Sequence, residues 1–155
     1  MAEGNEEQLR FHTIDGCTVR ADFDGGAMSS DFGPMLLRSV DRQIGLSDRL
    51  AAAIADWRHP SYTDHDLRDL LAQRAFLHAC GYADGNNADA LSADPVFQLG
   101  LGRYPLAEES GLASGSTFSR LENGVSRKDI YRLAQAFVDQ FIASYAQAPE
   151  AIWTR

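Results

Sequence analysis

The sequence predicts a mostly α-helical domain with an N-terminal β-hairpin, a long C-terminal helix and a short orphan strand at the end. Three observations predict it. From about residue 34 onward apolar side chains recur every three or four positions, most regularly over residues 126–145. Ahead of them, residues 17–23 alternate apolar and polar beside Asp15-Gly16, a pairing that favours a two-residue hairpin turn. Between the periodic segments stand Asp, Ser, Pro and Gly in the positions that start and stop helices.

Residues 1–9 are poor in apolar side chains and read as a tail; residues 10–155 read as one domain, with the hairpin over 10–26 and helices within 34–147. In the second strand Cys17, Val19, Ala21 and Phe23 share one face, and Asp24-Gly25-Gly26 ends it. Pro34 suits the first turn of a helix reaching Ile44, with Asp31 as an upstream cap and Gly45 as the stop. Ser47 is placed to cap a second helix through Leu50, Ile54 and Trp57, halted at His59-Pro60. A third begins at Thr63, shows Leu67, Leu70, Leu71 and Ala75 on one face and ends at Gly81. A short helix follows near 88–91, and Asp94-Pro95 caps and opens another over 96–101. Ser126 caps the last helix, whose Ile130, Leu133, Ala134, Phe137, Val138, Phe141, Ile142 and Tyr145 predict a buried face. After Pro149, residues 151–155 read as half of a strand.

Composition narrows the function classes. The chain has 155 residues, 45% hydrophobic and 23% charged, which excludes a wholly disordered chain. No run approaches the ~20 apolar residues of a membrane-spanning helix. The start is acidic where an export signal is basic and then apolar, and Cys17 and Cys80 make neither a disulfide framework nor a metal spacing. A cytoplasmic protein with no membrane partner is expected. The net charge of −8 lies entirely in residues 1–102; residues 103–155 carry six basic and six acidic side chains. Nucleic-acid binding draws much of its affinity from phosphate neutralisation, so any such face must be local.

Constellations for catalysis are missing. Asp22, Asp24 and Asp31 are the densest carboxylate group, but they lack calcium-loop order and sit beside turn glycines. His12, His59, His65 and His78 show no metalloprotease spacing, and His78 is expected to be partly buried. Neither a phosphate-cradling glycine loop nor a nucleophile elbow is found. No catalytic and no metal-binding residue is expected.

Residues 106–128 read differently: a short helix over 106–110, a turn at Gly111, a second helix from about Ser116 to Glu122 and a stop at Asn123-Gly124. This is helix-turn-helix order. Ser116, Thr117, Ser119, Arg120 and Asn123 lie on the second helix, where such units meet bases and phosphates, and the helix start would add backbone N–H groups for an anion. Arg127, Lys128 and Arg132 follow closely, with Glu122 and Asp129 interspersed. The stretch resembles the recognition region of phage-repressor-type regulators, which read Ser-x-x-Thr-Ile-Ser-Arg-x-Glu-Asn-Gly. Here Ser114-Gly115-Ser116 makes the turn one residue longer.

Over a wider span the chain resembles the N-terminal region of bacterial insertion-sequence transposases of the DDE type, group 1. The matching segments are Ala21-Asp-Phe-Asp-Gly-Gly-Ala-Met-Ser-Ser-Asp31, Leu36-Leu-Arg-Ser-Val-Asp-Arg42, His65-Asp-Leu-Arg-Asp-Leu-Leu-Ala-Gln-Arg74, Gly81-Tyr-Ala-Asp-Gly-Asn-Asn-Ala-Asp89 and Ser116-Thr-Phe-Ser-Arg-Leu-Glu-Asn123. They cover roughly residues 19–150 in the family's order; Ser92 replaces a usual arginine and Gly85 interrupts an Asp-Ala-Asn-Asp-like run. The resemblance implies that the strand after Pro149 would carry the first catalytic aspartate, which residues 151–155 do not contain. It therefore implies a truncated transposase: a DNA-end-binding and assembly region, not an enzyme by itself, with no cofactor of its own and magnesium only in a full-length member. The implied partners are insertion-sequence DNA ends, with a full-length transposase or self-association beside them. An inhibitor that pairs with a full-length transposase, or a remnant without function, is the alternative expectation.

Overall fold

The computed structural model describes residues 9–14, 16, 18, 20–21, 32–105 and 111–145. The expected tail over 1–8, the helix over 106–110, the cap at Asp31, the carboxylates Asp22 and Asp24, Pro149 and the strand over 151–155 lie outside the described residues.

Helices dominate. The hairpin expected over 10–26 is not found at that extent: β1 (Leu9–Arg10) pairs antiparallel with β2 (Arg20–Ala21), two residues each. An isolated two-stranded pairing is marginal in water, so this one contributes little to the fold. Cys17, Val19 and Phe23 of its expected inner face lie outside the described residues. Beyond it run α1 (Gly33–Ile44), α2 (Leu46–Ala53), a 3-10 turn (Pro60–Tyr62), α3 (Leu67–Ala79), α4 (Gly85–Leu91), α5 (Pro95–Gly100), α6 (Gly115–Gly124) and α7 (Arg127–Ala143).

Several boundaries follow the capping chemistry. Pro34 sits in the first turn of α1, and Gly45, left-handed at φ 67°, closes it with its N–H on the Asp41 carbonyl at 2.7 Å. Asp94 accepts from the Val96 and Phe97 N–H groups at 2.9 Å each and opens α5. Ser126 and Asp129 form a full capping box on α7.

Other boundaries differ from expectation. Ser47 lies inside α2 and caps nothing; its N–H donates to the buried Asp41 carboxylate at 2.8 Å, so α2 is capped from α1. Helix α2 stops at Ala53 because Ile54 turns to extended backbone and enters the core. Trp57 therefore lies off the helix, with its ring against Gly124 at the end of α6. Helix α3 starts at Leu67 rather than Thr63, since Asp66 accepts the Asp69 N–H at 2.7 Å and makes the better cap. His78 is exposed in the last turn of α3 rather than partly buried.

Helix α3 is the centre of the core. Leu70, Ala72, Gln73, Phe76 and Leu77 are buried around it, with Phe97, Phe118, Leu121 and Ile54 from other elements in the same cluster. Tyr82 meets Phe97 edge to face at 5.8 Å between ring centres. Each large side chain buried in this way contributes about 1.5–3 kcal/mol. Helix α1 packs on α5, α2 on α3 and α7, and α4 on α6. The last contact is close: a Cβ on Gly115 would come within 2.6 Å of the Gly85 carbonyl oxygen, so only glycine permits it.

The buried face expected on α7 is not buried. Ala136 is buried and Leu133 packs on the core, whereas Ile130, Phe137, Val138, Phe141, Ile142 and Tyr145 are 38–56% exposed. Helix α7 packs on α2 and turns its Leu133–Ala136 side inward.

The segment entering α6 is fixed by side chains. Gln73, 3% exposed, donates its Nε2 to the Ala113 carbonyl at 2.9 Å and accepts the Ala113 N–H on Oε1 at 3.0 Å. The Leu112 N–H donates to the Ser92 carbonyl at 3.0 Å. Replacing Gln73 by leucine keeps the volume but leaves both buried backbone groups of Ala113 unpaired. The expected loss is about 2–3 kcal/mol, read as a lower urea midpoint at unchanged slope.

Candidate nucleic-acid interface

Helix α6 divides its residues by face. Phe118 and Leu121 are buried, while Ser116, Ser119, Arg120 and Asn123 are exposed at i, i+3, i+4 and i+7 along one stripe. Thr117 is half-buried beside them. Within the stripe the Arg120 Nε donates to the Ser116 carbonyl at 3.3 Å, and the Asn123 Nδ2 donates to the Ser119 Oγ at 3.3 Å. Ser114 caps the helix and gathers hydroxyls: its Oγ lies 2.9 Å from Ser116 Oγ and 3.2 Å from Thr117 Oγ1.

The expected anion affinity of the α6 start is largely spent internally. The Gly115 N–H donates to the Asp89 carboxylate at 2.9 Å, and the Thr117 N–H to Ser114 Oγ. A carboxylate already occupies the positive end of the helix dipole there, so cationic side chains rather than backbone N–H groups must meet a phosphate.

Those side chains cluster at the start of α7, two residues beyond α6. Arg127, Lys128, Tyr131 and Arg132 line a shallow depression of about 410 Å³. Arg127 and Lys128 are exposed and make no ion pair among the described residues. Arg132 reaches Asp129 at 3.6 Å. The two interspersed carboxylates are answered locally. Glu122 is held by Arg74 at 2.9 Å, whose guanidinium also lies 5.7 Å from the Phe118 ring centre. Asp129 accepts from the Ser126 hydroxyl at 2.6 Å and the Ser126 N–H at 3.1 Å, which hold its pKa below the usual carboxylate value. The segment thus presents net positive charge in a chain of net charge −8.

All eight sequence-predicted residues thus fall on α6 and the first two turns of α7. Ser116 with Arg120 and Ser119 with Asn123 are in contact; Arg127, Lys128 and Arg132 share the depression; no hydrogen bond or ion pair joins the two groups among the described residues. Tyr131, 71% exposed in the middle of the cations, was not expected there, although its spacing of four from Arg127 places it beside that residue. Arg74 was also missed, since its partner Glu122 lies far away in sequence.

A second basic cleft, of about 340 Å³, is lined by Arg38, Arg42 and Arg68 with Asp41. Within it Arg68 bonds Asp48 at 2.9 Å and also reaches Asp41 and Asp69. Among the described residues no group of three or more His, Cys, Asp or Glu is placed to hold a metal ion. No helix of the described residues is long and apolar enough to cross a membrane.

A half-buried polar cluster supports the segment before α6. The Arg103 guanidinium donates to His65 Nδ1 at 2.9 Å and to the Gly111 carbonyl at 3.2 Å, and lies 3.6 Å from Asp69. Arginine only donates, so Nδ1 accepts and carries no proton. Burial of the ring, and then the Arg103 charge, hold the His65 pKa below its ordinary value.

This arrangement defines a helical module whose one amphipathic helix, tipped by cations of the next, faces solvent. The chain matches the transposase DDE domain, group 1, over residues 11–153 and belongs to that family. No curated protein and no solved structure matches it.

The His65 arrangement has a pH signature. A histidine pKa lowered by folding means the unfolded chain binds the proton first, so stability is full above about 6.5 and falls as pH drops through the folded value. The urea midpoint is expected to fall between pH 7.5 and 5.5 in the native protein. In His65→Gln, which keeps an acceptor for Arg103, that fall should be smaller; an identical fall would remove His65 as its source.

Proposed function

We propose that residues 116–132 contact DNA, making this chain the DNA-binding and assembly region of a DDE-type transposase acting in the cytoplasm. The observation that carries the reading is the exposed stripe of α6 continued by Arg127 and Lys128, which make no ion pair among the described residues and share one depression with Arg132. Arg120, Arg127, Lys128 and Arg132 suit phosphate oxygens; Ser116, Thr117, Ser119 and Asn123 suit base edges or sugars. Family membership supports DNA as the partner.

In this reading strand cleavage does not come from residues 1–155 alone. Two-metal phosphoryl transfer needs carboxylates that hold both ions, and Asp22 and Asp24 match none of the catalytic positions that the resemblance implies. Magnesium-dependent nicking by the purified chain would overturn this part. A second reading, a protein that pairs with a full-length transposase and inhibits it, is favoured by the exposed apolar side of α7. Co-purification with a full-length member without any DNA shift would select it.

The DNA reading is tested by gel shift on the cognate insertion-sequence end at several salt concentrations. Arg120→Ala with Lys128→Ala is expected to weaken binding and to lower the slope of log K against log salt by about 2, roughly one per lost phosphate contact. Unchanged binding and slope would remove these residues from the interface. Asn123→Ala is expected instead to change preference among sequences at little cost in slope.

A further inference from the structure

The outward side of α7 is built as a helix-pairing seam. Ile130, Ala134, Phe137, Val138, Phe141 and Tyr145 follow one another at 4, 3, 1, 3 and 4 residues, a continuous apolar stripe of the kind that faces another helix. The stripe is set apart from the Leu133 and Ala136 side that packs inward. Its five large side chains are 45–56% exposed. With 150–250 Å² for each aromatic, the stripe and its flanks leave on the order of 700 Å² of mostly apolar surface. That is above the ~400 Å² a soluble surface carries without a partner, and close to the ~800 Å² per partner of a stable interface.

We propose that this stripe is occupied by the same stripe of a second copy of the chain, with the two α7 helices antiparallel across a two-fold axis. Two arguments select that occupant and that direction. The first is shape. Antiparallel pairing about a point between Ala134 and Phe137 sets Ala134 against the partner copy's Phe137, and Ile130 against its Phe141. Each bulky ring then meets a smaller side chain, and the small Ala134 lets the backbones approach at the axis. The second is charge. Arg127 and Lys128 open α7, and a parallel pairing would bring both cation pairs together. The antiparallel pairing places them at the opposite end, beside the C-terminal turn of the partner copy's α7, where the helix dipole carries partial negative charge.

The inference stands apart from the DNA reading, because the stripe and the α6 stripe are different surfaces; loss of the gel shift leaves it intact. The test is sedimentation equilibrium of the full chain, with Phe137→Glu and Phe141→Glu beside it. Native protein is expected at twice 17.0 kDa. Each variant should keep its helical circular dichroism and weaken self-association by at least about 30-fold, as loss of a buried aromatic anchor does. A native monomer at all concentrations, or variants that remain dimeric, overturns the proposal and assigns the stripe to another occupant, residues 146–155 being nearest. Direction is read by disulfide trapping in a Cys17→Ser, Cys80→Ser background. Mixed Ile130→Cys and Phe141→Cys chains should cross-link to each other; Ile130→Cys chains linking only among themselves would overturn the antiparallel pairing.

Discussion

The two hydrogen bonds between the Gln73 side chain and the backbone of Ala113 fix the segment from which α6 starts. Leu112 and Ala113 are buried in the segment before α6, where each N–H and C=O needs a partner and no strand lies alongside to supply one among the described residues. Gln73, from the middle of α3, takes the place of a neighbouring strand, and Ser92 and Arg103 add partners for Leu112 and Gly111 just before it. Leu112 and Ala113 are thereby buried, and Ser114 emerges in position to cap α6. The orientation of the polar stripe on α6 therefore depends on a glutamine forty residues earlier. An apolar residue at 73 would satisfy the core and leave the following helix unanchored.

The same structure explains how an acidic protein presents a cationic edge. Its aspartates are mostly occupied: Asp66, Asp84, Asp94 and Asp129 cap helices, and Asp41, Asp48, Asp56 and Asp69 hold Arg58, Arg68 and Arg103. Exposed pairs of this kind add little stability, yet they fix the long arginine side chains and neutralise their charge locally. Asp56 and Arg58 show the mutual effect. Their 2.6 Å contact holds the aspartate pKa below and the arginine pKa above the ordinary values. The span from Arg120 to Arg132 carries four cations against two carboxylates, and charge that counts within a Debye length of about 8–10 Å is set by such a span rather than by the chain total.

Helix α7 joins two surfaces of different character. Its first turns carry the cations and Tyr131; the rest carries rings and branched side chains that the core does not take up. The core of the described residues is built around α3 by Ile54 and by side chains of α4, α5 and α6, without them. An apolar face left outside a finished core is the surface of an assembly rather than of a fold.

Much of this was legible in the sequence. Local chemistry determined the existence of the helices and many of their ends: Pro34 and Gly45, Asp94 before Pro95, Ser126 with Asp129, and the placement of Ser116, Ser119, Arg120 and Asn123 on one stripe of α6. Those are interactions within four residues, which a linear reading contains. The resemblance to the transposase family was legible for a similar reason, because short motifs keep their order along the chain. Periodicity also marked the apolar side of α7, but periodicity states only that a face is apolar and not what covers it. Tertiary structure decided that Leu133 and Ala136 turn inward, that Ile54 leaves α2 for the core, and that the described part of the expected hairpin pairs over two residues in each strand. It also decided the contacts of widest separation, Gln73 with Ala113, Arg74 with Glu122 and His65 with Arg103. Each needs two distant segments to be brought within 3 Å, and only the packing of the whole chain does that.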